Sequence, residues 1–221
     1  MRRLACVLML AAAAFGQVAD KTNEGYKTKD GRASVARALS DPGREEKQKP
    51  RDIVAALDLK KGGFVADVGT GTGFMLPYLS HAVGSGGQVY AEDIQSDFLD
   101  KARMNSGLQQ LANVKFVLGT DRDPKLPADT LDGVLVLDVY HHFDYPEAML
   151  GHIRDSLLSD GKLVIVDYYK RPDAMPGGRA MQHIRLDVDG VVKEVEANGF
   201  KLEEQRELVP KSQYIAVFAK K

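Results

Sequence analysis

The chain has 221 residues, 44% of them apolar and 28% charged, with a formal net charge of −1. That size and balance describe one globular domain with a substantial core, and exclude a disordered, collagenous or strongly basic nucleic-acid-binding chain. A single cysteine, Cys6, also excludes a disulfide framework or a multi-cysteine metal site.

The N-terminus has its own character. Arg2 and Arg3 precede the apolar run Leu4–Phe15, and small residues stand at Ala14 and Gly16. A charged start, a short apolar stretch and small residues before a polar sequence form the pattern of a secretory leader cut before Gln17. On this reading residues 1–16 are a signal peptide and the mature protein is exported, periplasmic or secreted; an uncleaved N-terminal helix or a membrane anchor, and a cytoplasmic location, are the alternatives. The run is too short to span a bilayer, so no stable membrane association is expected after cleavage. Cys6 opens the apolar run instead of following it, which argues against lipidation.

Residues 17–43 read as a lead-in: Ala19–Asp30 is polar and expected to be poorly ordered, and Arg32–Leu39 is a short helix broken at Asp41-Pro42-Gly43. From Arg44 onward strands and helices alternate. Ile53, Val54 and Leu57 recur at helical spacing behind Pro50, which suits a first turn. Strand Phe64–Val68 leads to a helix over Gly73–Val83. Strand Gln88–Ala91 leads to helix Ser96–Gln109. Strand Val114–Leu118 is followed by a polar, proline-containing loop, strand Gly133–Leu137 and helix Pro146–Leu158. Strand Lys162–Val166 precedes a long loop, Lys170–Arg185, and helix Leu186–Ala197. Such alternation predicts an α/β fold with a parallel sheet covered on both faces. The last two runs, from Phe200 and from Gln213, are joined by a short link and should pair antiparallel.

The most informative segment is Val65–Phe74, V-A-D-V-G-T-G-T-G-F. An apolar strand carrying Asp67 runs into Gly69, Gly71 and Gly73, where the backbone can turn with positive φ and approach a ligand closely. The next strand ends in Glu92 and Asp93, and a glycine turn followed by a carboxylate is how a βαβ unit holds a ribose-bearing cofactor. The dinucleotide fingerprint requires G-x-G-x-x-G, but Phe74 takes the place of its third glycine. An acidic residue two positions before the first glycine would oppose a pyrophosphate. It suits a ligand with an ammonium and a cationic sulfur, which S-adenosylmethionine has.

On these residues the chain, from about Arg44 to its C-terminus, resembles the class I S-adenosylmethionine-dependent methyltransferases. The resemblance implies a Rossmann-like doubly wound seven-stranded sheet, order 3-2-1-4-5-7-6 with strand 7 antiparallel, over residues 44–221. It implies that Asp67 and the loop Gly69, Thr70, Gly71 and Gly73 hold the methionine end of the cofactor, although a helix cap is an alternative role for Asp67. It places a carboxylate against the ribose. The run D-I-Q-S-D-F-L matches the family's pattern at Asp93 and Ile94, which leaves Glu92 pointing away. It also implies contacts to adenine from Asp121 and from the Thr120 backbone. Branches of the family that work through cysteine are disfavoured by a mature chain without one.

The fourth strand ends D-V-Y-H-H-F, so Asp138, Tyr140, His141 and His142 should border the site at the carboxyl ends of the strands. Methyl transfer needs an aligned acceptor and removal of its proton. His141 or His142 is the general-base candidate, with Tyr140 positioning cofactor or acceptor. The Asn/Asp-Pro-Pro-aromatic box of DNA amino-methyltransferases is missing here, and no DNA partner is expected. No metal is expected either, since magnesium prefers oxygen ligands to adjacent histidines. The expected activity is methyl transfer to an unidentified small-molecule acceptor contacted by Arg44, Gln48, Lys49, Tyr168, Tyr169, Lys170, Arg171, His183 and Arg185. A non-catalytic S-adenosylmethionine-binding protein and a nicotinamide oxidoreductase are the competing readings. Export sits awkwardly beside a cofactor made in the cytoplasm.

Overall fold

A computed structural model describes residues 17–221; the expected leader, residues 1–16, lies outside the described residues. Seven strands form one sheet: β1 Phe64–Val68, β2 Gln88–Asp93, β3 Val114–Leu118, β4 Leu131–Leu137, β5 Leu157–Tyr168, β6 Phe200–Val209 and β7 Gln213–Lys220. Their spatial order is β3-β2-β1-β4-β5-β7-β6, and β7 runs antiparallel to both neighbours. This is the expected Rossmann-like arrangement. The chain reverses between β1 and β4, and in such sheets the crevice above that reversal receives ligands.

The helices are α1 Lys29–Leu39, α2 Arg44–Gln48, α3 Pro50–Leu57, α4 Leu76–Val83, α5 Ser96–Leu108, α6 Pro146–Ser156, α7 Ala180–His183 and α8 Val188–Ala197. Buried strand residues are apolar on both faces because the sheet is covered on both. In β4, Val134 and Val136 face the layer of α6 and α8, while Leu135 and Leu137 face the layer of α3, α4 and α5. In β5 the same alternation sends Leu163 and Ile165 one way and Val164 and Val166 the other. Helix α4 buries Leu76, Leu79 and Val83 at the three-to-four spacing of an amphipathic helix. Each such side chain contributes roughly 1.5–3 kcal/mol through burial. The edge strand β6 exposes charged residues along its middle, which discourages pairing with another sheet.

Several element ends differ from expectation for local reasons. Helix α4 begins at Leu76 instead of Gly73, because the glycine turn continues to Gly73 with φ of +85°. Helices α2 and α3 are separated at Lys49, which adopts a left-handed conformation (φ 48°) before Pro50. Proline disfavours a right-handed helical residue before it. The lead-in is not loose. Thr22–Tyr26 forms a 3-10 turn, and Ala19 is buried. Its backbone is tied down where Val18 N–H donates to the Asp144 carbonyl at 3.1 Å. Among the described residues, no helix is long and apolar enough to cross a membrane.

Candidate active site

The first strand ends in a turn whose donors are aimed at the end of the second. Gly69 and Gly71 have φ of +70° and +56°, and Gly73 closes the turn by donating its N–H to the Thr70 carbonyl. A Cβ on Gly69 would lie 2.5 Å from Val139 Cγ2, so glycine is required there by both conformation and space. The Thr70 N–H donates to the Glu92 carbonyl at 2.8 Å, and the Gly69 N–H donates to Glu92 Oε2 at 3.3 Å. The Gly71 N–H donates to Asp93 Oδ2 at 2.9 Å, while Asp93 Oδ1 accepts from the Gln95 N–H at 2.8 Å. The carboxylates at the end of β2 therefore shape the loop at the end of β1.

A cavity of about 290 Å³ opens above this junction. Of the residues expected from sequence, Gly69, Thr70, Gly71, Asp93, Ile94, Thr120, Asp121, Asp138 and His142 line it. Ile94 presents an exposed apolar side chain to it. Asp67, Gly73, His141 and Tyr140 do not line it. Asp67 is buried under the loop and accepts the Thr70 hydroxyl at 2.7 Å, so it supports the loop from below.

Two corrections follow. Glu92 does not point away: it lines the cavity beside Asp93, and its buried Oε1 has no hydrogen-bond partner among the described residues. Tyr140 does not border the site. It is fully buried in the core, and its hydroxyl donates to Glu194 Oε1 at 2.7 Å, where Arg185 also pairs with Glu194. Tyr140–His142 form a 3-10 turn, which sends successive side chains in different directions. Thr120, which lines the cavity as expected, gives its backbone N–H to the Asp123 carbonyl at 2.9 Å within its own turn, and its carbonyl is the backbone group that could meet an amino donor.

The crevice is rich in buried carboxyls. Burial raises Asp67, Asp93 and Asp138 to about 6, and raises Glu92 well above its ordinary value with Asp93 adding to the effect. The Arg44 guanidinium works against the rise at Asp138, from 3.7 Å. Arg44 also stacks over the Phe74 ring at 4.4 Å, so the residue standing where a dinucleotide site has glycine helps to fix this cation. Asp138 itself holds a left-handed backbone (φ 57°) and accepts side-chain amide donors from Gln48 and from Gln213, the latter at 2.5 Å. A non-glycine residue in that conformation persists only where its surroundings enforce it.

The histidines lie side by side with different environments. His141 is buried, and its Nδ1 lies 2.7 Å from Asp167 Oδ1. Asp167 also accepts the backbone N–H groups of His141 and Tyr168. His142 reaches the cavity wall. Asn23 clamps it twice, donating Nδ2–H to its carbonyl at 3.0 Å and accepting at Oδ1 from its Nδ1 at 2.7 Å. That assignment leaves His142 Nε2 as an acceptor, 3.4 Å from the Tyr26 hydroxyl. Burial holds His142 well below the usual histidine range, with His141 and His183 adding to the effect.

The lead-in is the feature that sequence reasoning missed. Gln17, Asp20, Asn23, Tyr26 and Lys27 all line the cavity, so this segment forms its roof. Tyr26 packs edge-on against Phe98 and His142, and Arg32 pairs with Asp97 at 2.8 Å. Its one readable signal was the pair of aromatic and amide residues, Asn23 and Tyr26, in an otherwise polar stretch.

The carboxylates of Glu92, Asp93 and Asp138 around the cavity favour a cation over an anion. These residues fit the ribose and the positive charges of S-adenosylmethionine, and fit a pyrophosphate poorly. Comparisons with known proteins agree. Residues 66–165 match a family described as a methyltransferase domain. The phosphatidylethanolamine N-methyltransferase of Cereibacter sphaeroides is 30% identical over 125 residues, which cover 56% of this chain and 60% of that protein. A tRNA (adenine-N1)-methyltransferase of Methanocaldococcus jannaschii is 41% identical over 59 residues, covering 25% of this chain and 21% of that protein. The chain thus spans less than two thirds of the length of these relatives. The crystal structure of a SAM-dependent methyltransferase from Aquifex aeolicus is similar over 85% of this chain and 98% of that one, with 28% identity and a TM-score of 0.77. Residues 66–165 thus carry the methyltransferase-domain signature, and the chain has the fold of the S-adenosylmethionine-dependent methyltransferases that it resembles.

Proposed function

We propose that this protein transfers a methyl group from S-adenosylmethionine to a small-molecule acceptor held beneath the lead-in roof. One observation carries the proposal: a cavity at the topological switch point, lined by the carboxyl residues Glu92, Asp93 and Asp138 beside the glycine turn. When bound, the cofactor supplies an electrophilic methyl on a sulfonium. Glu92 and Asp93 would take the ribose hydroxyls. Ile94 offers an apolar face to the adenine, and Asp121 an acceptor for its amino group. Gly69, Thr70 and Gly71 leave room for the methionine end, with Asp67 supporting the loop beneath.

On the acceptor side His142 is the group at the cavity wall, and its Nε2, 3.4 Å from the Tyr26 hydroxyl, is the atom that would take a proton. His141, behind it and held by Asp167, sets its position. The small-acceptor reading draws support from the roof, which limits access to the cavity, and from a net charge of −1, which offers no field to attract a nucleic acid. The acidic lining counts against a nicotinamide oxidoreductase. Export is likewise proposed, on the Arg2–Gly16 pattern alone, and a mature N-terminus at Gln17 is its check.

Calorimetric titration of the full chain tests the reading. S-adenosylmethionine and S-adenosylhomocysteine should each bind once per chain, and NAD should not. Binding of NAD alone would overturn it. Release of S-adenosylhomocysteine from a mixture of small hydroxyl, amine and thiol acceptors separates an enzyme from a protein that merely binds the cofactor.

A further inference from the structure

We infer that His141, His142 and His183 form a site for one divalent late first-row transition ion of the zinc type at the wall of the cavity. The expectation of no metal rested on two adjacent histidines, a poor chelating pair. The fold adds a third. Helix α7, within the long loop after β5, delivers His183 so that one ring nitrogen of each histidine lies within 4.8 Å of the other two. The ring centroids stand 4.1 Å (His141 to His142), 4.9 Å (His141 to His183) and 5.3 Å (His142 to His183) apart.

Second neighbours single out the set. Ligating histidines ordinarily give their other ring N–H to a carboxylate or amide oxygen, which fixes tautomer and orientation. Here Asp167 Oδ1 takes Nδ1 of His141 at 2.7 Å, and Asn23 Oδ1 takes Nδ1 of His142 at 2.7 Å. Each ring thus has Nδ1 occupied by its oxygen partner and Nε2 left to face the other histidines. His183 is positioned through its backbone, whose carbonyl accepts the Thr22 hydroxyl at 2.9 Å.

A tetrahedral ion with nitrogen ligands at about 2.0–2.1 Å needs the nitrogens roughly 3.3 Å apart. The set must therefore draw together slightly on loading. Three histidines also leave one coordination position for water or for the acceptor's own heteroatom, the arrangement of catalytic rather than purely structural sites; in the loaded protein the ion would replace His142 Nε2 as the group that activates the acceptor. Imidazole donors select zinc, copper or nickel over magnesium. The two remaining histidines, His81 and His152, are exposed and lie elsewhere.

The test uses the full chain, purified without a polyhistidine tag and stripped by chelator. Titration with Co²⁺ in the absence of cofactor should give the intense visible bands of a tetrahedral site at one ion per chain, displaced by Zn²⁺. His183→Ala and His142→Ala should each weaken binding at least tenfold. Asp167→Asn should weaken it by about 10–100-fold while leaving a folded protein. A His81→Ala, His152→Ala double variant should match the parent. Where an alanine variant loses its circular dichroism spectrum, His183→Gln replaces it. Only the weak bands of a water-coordinated ion, or binding that disappears in the His81/His152 variant, would overturn the site. S-adenosylmethionine affinity is measured on the same samples. Loss of metal binding with retained cofactor binding leaves the methyltransferase reading standing, and the converse leaves the metal site standing.

Discussion

The backbone N–H of Gly71 donates to Asp93 Oδ2 at 2.9 Å, joining the glycine turn after β1 to the carboxylate that ends β2. The cofactor loop is thus held open by the same residue proposed to meet the ribose. Asp93→Ala removes both roles. Hydrogen bonds to a charged group contribute about 1.5–3 kcal/mol each, so affinity for S-adenosylmethionine should fall by at least tenfold in calorimetry. Asp93→Asn keeps an acceptor for Gly71 and should fall less. Equal affinity for parent and Asp93→Ala would transfer the ribose to Glu92 alone.

At Gly69 the constraint is steric. Its φ of +70° disfavours any side chain, and a Cβ would meet Val139 Cγ2 at 2.5 Å. Gly69→Ala should destabilise the protein by about 1–3 kcal/mol, measured by urea unfolding. Adding Val139→Ala removes the clash but not the backbone strain, so it should restore only part of the loss. Full restoration would show that the left-handed conformation costs nothing here.

Much of this fold was legible because buried parallel strands write themselves as apolar runs between helical patterns. The antiparallel pairing of β6 and β7 followed from the runs at Phe200 and Gln213 and their short link, while the insertion of β7 beside β5 came from the family resemblance. The cofactor side was legible for the same reason: Gly69, Gly71 and Asp93 occupy strand ends, whose direction the sheet fixes. The acceptor side was not. Tyr140, His141 and His142 lie in one 3-10 turn, where sequence gives no period to say which side chain faces the cavity, and Tyr140 turned to Glu194. Glu92 was misplaced because the crevice straddles the end of the sheet: it lies within β2, in register with Val68 and Val117, and still lines the cavity beside Asp93. His183 and the roof residues Asn23 and Tyr26 come from far along the chain, joined through hydrogen bonds that no local pattern records.

The raised carboxyls give binding a pH dependence of definite sign. Asp67, Asp93 and Asp138, each near 6 through burial, take up protons in the empty crevice as pH falls from 7 to 5. A bound sulfonium and ammonium favour the ionised forms and pull those values down. Binding near pH 6 should therefore release protons, seen as a calorimetric enthalpy that changes with the ionisation enthalpy of the buffer. Affinity should weaken as pH falls from 7 to 5. An affinity that strengthens toward pH 5 would mean that the cofactor's positive charges lie away from these groups.

The roof can be observed directly, because the chain contains no tryptophan. Tyr26 lies against Phe98 and His142 with ring centroids at 6.1 and 4.8 Å, and burial raises its hydroxyl to about 12, so it faces the cavity as a neutral ring. Tyr26→Trp places a lone fluorophore at that position. Occupation of the cavity by S-adenosylhomocysteine should change its emission saturably, with the same dissociation constant that calorimetry gives on the same variant. Asn23→Ala, which unclamps His142 from the lead-in, should shift the tryptophan emission to the red in the empty protein, since the segment would lie more open to water. An emission unchanged by ligand in a variant that still binds would separate the roof from the cofactor and confine its role to the acceptor.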